Sequence, residues 1–228
     1  MVAHGSSTFT DALSSLKDEG SALLVVGTVP QEKFGEMTTQ LLGDEEGGPR
    51  RRLFVTTHGR LDEIRERLPD PAELPLRQST RVITITERER SAVAQPMADS
   101  VELPTEEVSR GELSALSERI LQTIDEFERL AGSLSSAELR VSVDSLTAIL
   151  DAHEQEDVFR MVHLLNHLVR KKSGMIHYHL PVERGNATVR LFAPLFDAVV
   201  ELRMQEGVLQ QRWHLQDSDV SSEWLPVT

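Results

Sequence analysis

The clearest chemical capacity in this sequence lies in the pair Asp144-Ser145. It closes the run Leu139, Val141, Val143 within ELRVSVDSLTAIL, an apolar, β-branched stretch without helical period that predicts a buried strand. An acid and a hydroxyl at the carboxyl end of such a strand stand where open α/β sheets hold their ligands, and a carboxylate there could hold Mg²⁺ through water. The plain alternative is that an acid after a strand simply N-caps the next helix.

Other candidates are weaker. His163 and His167 are spaced i, i+4 in a helical pattern, and His177 and His179 fall on one face of a strand pattern; both spacings suit zinc. Without an H-E-x-x-H pattern, ordinary surface or core histidines are the favoured reading. Asp44–Glu46 beside Arg50–Arg52 has the look of an anion cradle or switch, against the simpler reading of solvated charge in a glycine loop. No serine sits in G-x-S-x-G, and the chain has no cysteine, which removes thiolate nucleophiles, thiolate zinc sites and disulfides together.

The elements that must position these residues follow from periodicity. Residues 1–20 form a peripheral N-terminal segment with a short helix over 9–17, expected along the sheet edge. Ser21-ALLVVG is an unbroken apolar run ending at Gly27, as in a central parallel strand. A helix over 33–42 stops at Gly43, and strands follow over 51–57 and 80–86, with a charged helix over 60–68 between them. Residues 88–104 show no usable period. A long amphipathic helix over 112–130 feeds the Leu139 strand, and helices over 146–153 and 158–172 follow it. Strands over 175–180 and 198–204 flank a short helix over 189–195. Glu206-Gly207 then turns the chain into an antiparallel strand over 209–215, and the tail through Trp224 adds an edge strand. Strands alternating with helices imply a single α/β domain with a mostly parallel central sheet, helices on both faces and an antiparallel C-terminal hairpin and tail over 198–228.

Composition sets limits on partners. Asp and Glu number 37 against 24 Lys and Arg, of which four are Lys, and the formal charge is −13. That balance argues against nucleic acid, whose binding needs a basic patch. It resembles proteins of salt-loving archaea, with an acidic protein from a GC-rich genome as the alternative. No apolar run approaches the roughly 20 residues of a membrane span, and the first residues lack a signal-peptide pattern. The expectation is a cytoplasmic protein with no membrane partner.

LLVVGTVPQEKFGEMTTQLL resembles the strand, phosphate loop and first helix of RecA-like ATPases of the KaiC group, and LRVSVDSLTAIL resembles their Walker B strand. The likeness continues through GMIHYHLP, FAPLFDAVVEL and VLQQRWHL. It implies a three-layer RecA-like fold in which Gly27, Lys33, Asp144 and Ser145 are vestigial nucleotide-binding residues. A working phosphate loop is G-x-x-x-x-G-K-[ST], and here Glu32 replaces the second glycine and Phe34 the hydroxyl. A carboxylate about 4 Å from one phosphate charge costs on the order of 4 kcal/mol at an effective dielectric near 20. The carboxylate that would activate water near the end of the second strand is not evident, since Thr56, Thr57 and His58 stand there. The resemblance therefore implies a degenerate member: no catalytic residues, no metal or cofactor, ATP binding weak or absent, and a regulatory or scaffold role with a protein partner, a homodimer through the Trp213 and Trp224 region among them. The rival readings are a weak, atypical ATPase using Lys33 and Asp144, and a receptor for another small anion at the same crevice.

Overall fold

Ser21-ALLVVG forms β1 (Ser21–Gly27), and each of its residues is buried, as expected of a strand covered on both faces. The computed structural model describes residues 4–43, 48–57, 61–66, 68, 75–87, 103–217 and 220–227. α1 (His4–Glu19) precedes β1, and the chain continues through α2 (Gln31–Leu42), β2 (Arg51–Thr56), α3 (Leu61–Glu66), α4 (Leu76–Ser79), β3 (Thr80–Thr86), β4 (Thr105–Ser109), α5 (Leu113–Ala131) and β5 (Leu139–Asp144). It ends with α6 (Leu146–Leu150), α7 (Gln155–Lys171), β6 (Met175–Leu180), α8 (Ala187–Phe192), a 3-10 turn (Ala193–Leu195), β7 (Ala198–Gln205), β8 (Val208–Leu215) and β9 (Leu225–Pro226).

The strands make one sheet in the order β4-β3-β2-β5-β6-β1-β7-β8-β9. Every pairing from β4 to β7 is parallel, and β8 and β9 add antiparallel. The hairpin turns at Glu206 and Gly207, both at positive φ, the twist that a two-residue hairpin loop requires.

Helices cover both faces. On one, Leu24, Val26, Val141, Val143 and Ile176 meet Ile120 and Phe127 of α5 and Val162, Leu165 and Val169 of α7. On the other, Phe34, Met37 and Leu41 of α2 meet Leu23, Val25, Ala198 and Val200. The N-terminal helix, expected along the sheet edge, lies instead on this second face, where Phe9 and Leu16 join Trp213 against the same cluster. A smaller cluster of Leu42, Phe54, Ile64 and Val82 continues that face under α3.

β4 directly follows the stretch 88–104, which shows no usable period, and the sequence predicts no element over 105–109. Of TEEVS only Val108 is buried, as expected of a solvated edge strand whose charges deter pairing with other chains. Among the described residues no helix is long and apolar enough to cross a membrane.

Candidate functional site

Strand alternation sorts side chains to the two faces, and the face under α2 is polar where it crosses β5 and β6. β5 sends Leu139, Val141 and Val143 into the apolar core and turns Arg140, Ser142 and Asp144 toward α2; β6 turns His177 and His179 the same way. Arg140, Ser142, His177 and His179 are all buried. Ser142 pairs in register with His177, and Thr56 of β2 with Asp144.

Asp144 ends β5 as expected, beside the carboxyl ends of β2, β6 and β1. Its carboxylate accepts a hydrogen bond from the Gln31 side-chain amide (3.0 Å), and its backbone oxygen accepts one from the Thr57 N–H (2.9 Å). His179 Nδ1 lies 3.5 Å from Asp144 Oδ1 but is aligned with no acceptor, so this is a close contact rather than a hydrogen bond. The opposite ring nitrogen, Nε2, is 2.9 Å from the Thr38 hydroxyl, and the Phe34 ring lies 5.2 Å from the His179 ring. His179 is thus held between α2 and β5.

Of the four expected binding residues, Asp144 and Ser145 adjoin at the end of β5, Gly27 closes β1 and Lys33 lies in α2. Only residues 28–30 separate β1 from α2, so Glu32 and Lys33 fall in the first helical turn rather than in a loop that could wrap a polyphosphate. Lys33 Nζ is 2.6 Å from Glu36; that hydrogen bond raises the lysine pKa above its ordinary value. Gln31, not Lys33, reaches Asp144. Phe34 is fully buried, a core residue of α2. Gly27 has a local packing reason: a Cβ there would sit 2.5 Å from the Leu202 backbone oxygen. Ser145, rather than Asp144, occupies the N-cap position of α6, without a side-chain capping bond, and the peptide between the two is cis.

His177 and His179 share a strand face, their rings 5.5 Å apart, and burial, followed by His179 and Arg140, lowers the His177 pKa well below the usual histidine value. His163 and His167 lie on the exposed side of α7. Among the described residues no three His, Asp or Glu side chains gather as a metal-binding group. Arg50–Arg52, read as solvated loop charge, are instead buried, at 3%, 5% and 1% exposure; Asp44–Glu46 and His58 lie outside the described residues. Sequence reasoning missed Gln31 and Thr38, which carry no motif, whereas the alternation of β6 had already placed His179 on the relevant face.

A family model matches residues 20–202, most of the chain. The chain belongs to DUF7504, a family of unknown function. Comparison with curated proteins gave no match. The DUF7504 region runs from the residue before β1 into β7, and so takes in the whole Gln31–Asp144–His179 cluster and the buried arginines, leaving α1 and the β8–β9 end outside it.

Proposed function

We propose that this DUF7504 chain is a RecA/KaiC-like pseudo-ATPase, with the three-layer fold of that group, acting as a regulatory or scaffold protein. The observation that carries the reading is the occupation of the crevice by the chain's own side chains. Gln31 donates to the carboxylate that would face a metal, His179 fills the space between Asp144 and α2, and the lysine that would meet phosphate is tied to Glu36. Phosphoryl transfer depends on positioning and charge stabilisation acting together; here the cation and the carboxylate each serve another contact, and the connecting loop is short. A parallel sheet continued by an antiparallel hairpin also accords with the proposed ancestry. A protein partner has apolar surface to meet at the hairpin end, where Met204, Val208 and Leu225 are exposed.

Calorimetry with Mg·ATP, in buffer holding high KCl, tests the reading. The expected result is no binding tighter than millimolar and no turnover above background. Micromolar binding that Lys33→Ala or Asp144→Ala abolishes would overturn it in favour of a nucleotide-binding enzyme.

A further inference from the structure

At the opposite, amino ends of the strands, three arginines crowd together. Arg52 and Arg140 are register partners on β2 and β5, and Arg50 immediately precedes β2; their exposures are 1%, 4% and 3%. Nearby cations at this end have partners. Arg51, turned to the other face, donates to Glu138 at 2.8 Å, and Arg170 donates to Asp197 at 2.7 Å. Arg52 donates to the Gly43 carbonyl at the end of α2 (2.9 Å). Arg50 Nε, and Arg140 Nε and Nη1, are buried with no hydrogen-bond partner among the described residues.

Unpaired buried guanidinium N–H groups are costly, and buried like charges more so. Burial, then Arg50 and Arg52, push the Arg140 pKa down to about 10, so the cation is held against its surroundings. The carbonyl end of α2 supplies only about half an elementary negative charge. Beside Arg50 and Arg140 opens a cavity of about 740 Å³, walled also by Leu13, Met175 and Trp213, with Lys17 on its rim. Glu36 and Glu66 reach the same cavity, but both are exposed and Glu36 is engaged by Lys33.

We propose that this cavity is a binding site for a small organic phosphate, its phosphate received by Arg50 and Arg140 and its apolar body lodged against Trp213 and Leu13. A phosphate monoester brings about −1.5 to −2 charges and three acceptor oxygens, which suits two unpartnered guanidinium forks better than one carboxylate does. The apolar part of the wall gives the rest of the molecule somewhere to leave water. This site is separate from the crevice at Asp144, and it holds whether or not that crevice binds nucleotide.

The test uses the full chain carrying Trp224→Phe, so that Trp213 is the sole tryptophan, at ionic strength held constant with KCl. Fluorescence and thermal unfolding are followed against phenyl phosphate, inorganic phosphate and benzoate. Phenyl phosphate is expected to change Trp213 emission, raise Tm and bind at least about tenfold more tightly than either other probe, a tenfold step being the scale of one charged hydrogen bond or a partly buried ring. Arg140→Met and Arg50→Met should each weaken it by about tenfold or more, and Asp144→Asn should leave it unchanged. If Arg140→Met fails to fold, Arg50→Met and the titration of the parent protein decide. Equal responses to chloride and phosphate, binding that survives both arginine substitutions, or loss on Asp144→Asn would each overturn the site. Inorganic phosphate binding as tightly as the ester would overturn the organic body.

Discussion

At the carboxyl end of the face under α2, Asp144 has Gln31, Gln31 belongs to the first turn of α2, and the neighbouring His179 has Thr38 from the same helix. At the amino end of that face, Arg50 and Arg140 have buried N–H groups with no acceptor among the described residues. One helix spans both regions. Its first turn and its middle meet the sheet with a neutral amide, Gln31, and a hydroxyl, Thr38, while its carboxyl end lies beside cations and an open cavity. On the proposed reading, the end that would meet phosphate is supplied with the chain's own contacts, while at the opposite end Arg50 and Arg140 show no ion-pair partner among the described residues. The end of the sheet where a ligand is expected is therefore a poorer guide to binding than the pairing of the polar groups there.

The largest effect expected is at Glu138. Its carboxylate receives Arg51 Nε at 2.8 Å and the Ser135 N–H at 2.9 Å. Glu138→Ala strands the buried Arg51 guanidinium and should cost about 3–5 kcal/mol in urea unfolding. Arg140→Met, only two residues along the same chain segment, removes a buried cation with no partner among the described residues and should be neutral or stabilising in phosphate-free buffer. A comparable loss from both would erase the distinction between paired and unpaired arginines.

Gly27 probes the other end. Its φ of 147° and the 2.5 Å approach of a Cβ to the Leu202 oxygen predict that Gly27→Ala destabilises by about 2–4 kcal/mol through overpacking and backbone strain. The loss should be the same with and without Mg·ATP. A loss that Mg·ATP offsets would return the glycine to a phosphate-binding role.

His177 lies between the two ends, facing His179, Arg140 and Asp144, and its folded pKa is lowered mainly by burial. The native state therefore holds it neutral, while the unfolded chain takes up a proton below pH about 6.5. The stabilising difference is complete above pH 6.5 and is lost as pH falls toward the lowered folded pKa, by at most about 1.4 kcal/mol per pH unit for one proton. His214, also lowered by burial, adds in the same sense. His177→Leu should flatten the slope between pH 6.5 and 5, and an unchanged slope would show that His177 is protonated in the native protein.

The parts of the fold that announce themselves in sequence are those where a strand is apolar throughout or alternates cleanly. β1, β3 and β6 begin and end where periodicity places them. β4 was silent because TEEVS buries only Val108. Arg50–Arg52 were misjudged for a related reason: long cations are normally solvated, and no local pattern tells that these three will be buried; Arg140 carries no signal of its own. Asp144 was found because a strand delivers its last residue predictably. Its neighbours were not, because Gln31 comes from the start of a helix distant in sequence, and its amide has no spacing signature.

The smallest effect expected is at Asp144 itself. Asn in its place keeps an Oδ1 that can accept from Gln31, keeps the backbone bond to Thr57, and removes a negative charge from a partly exposed position. A neutral hydrogen bond replacing a charge-assisted one is worth about 1 kcal/mol or less at such a site. The lost carboxylate also removes the influence that raises the His177 pKa, so His177 should become still harder to protonate. Asp144→Asn should therefore shift the urea midpoint only slightly at pH 7, equally in Mg²⁺ and in EDTA. A magnesium-dependent loss of stability would mean that the carboxylate holds a cation rather than Gln31, and the closed end of the comparison would then be an open one.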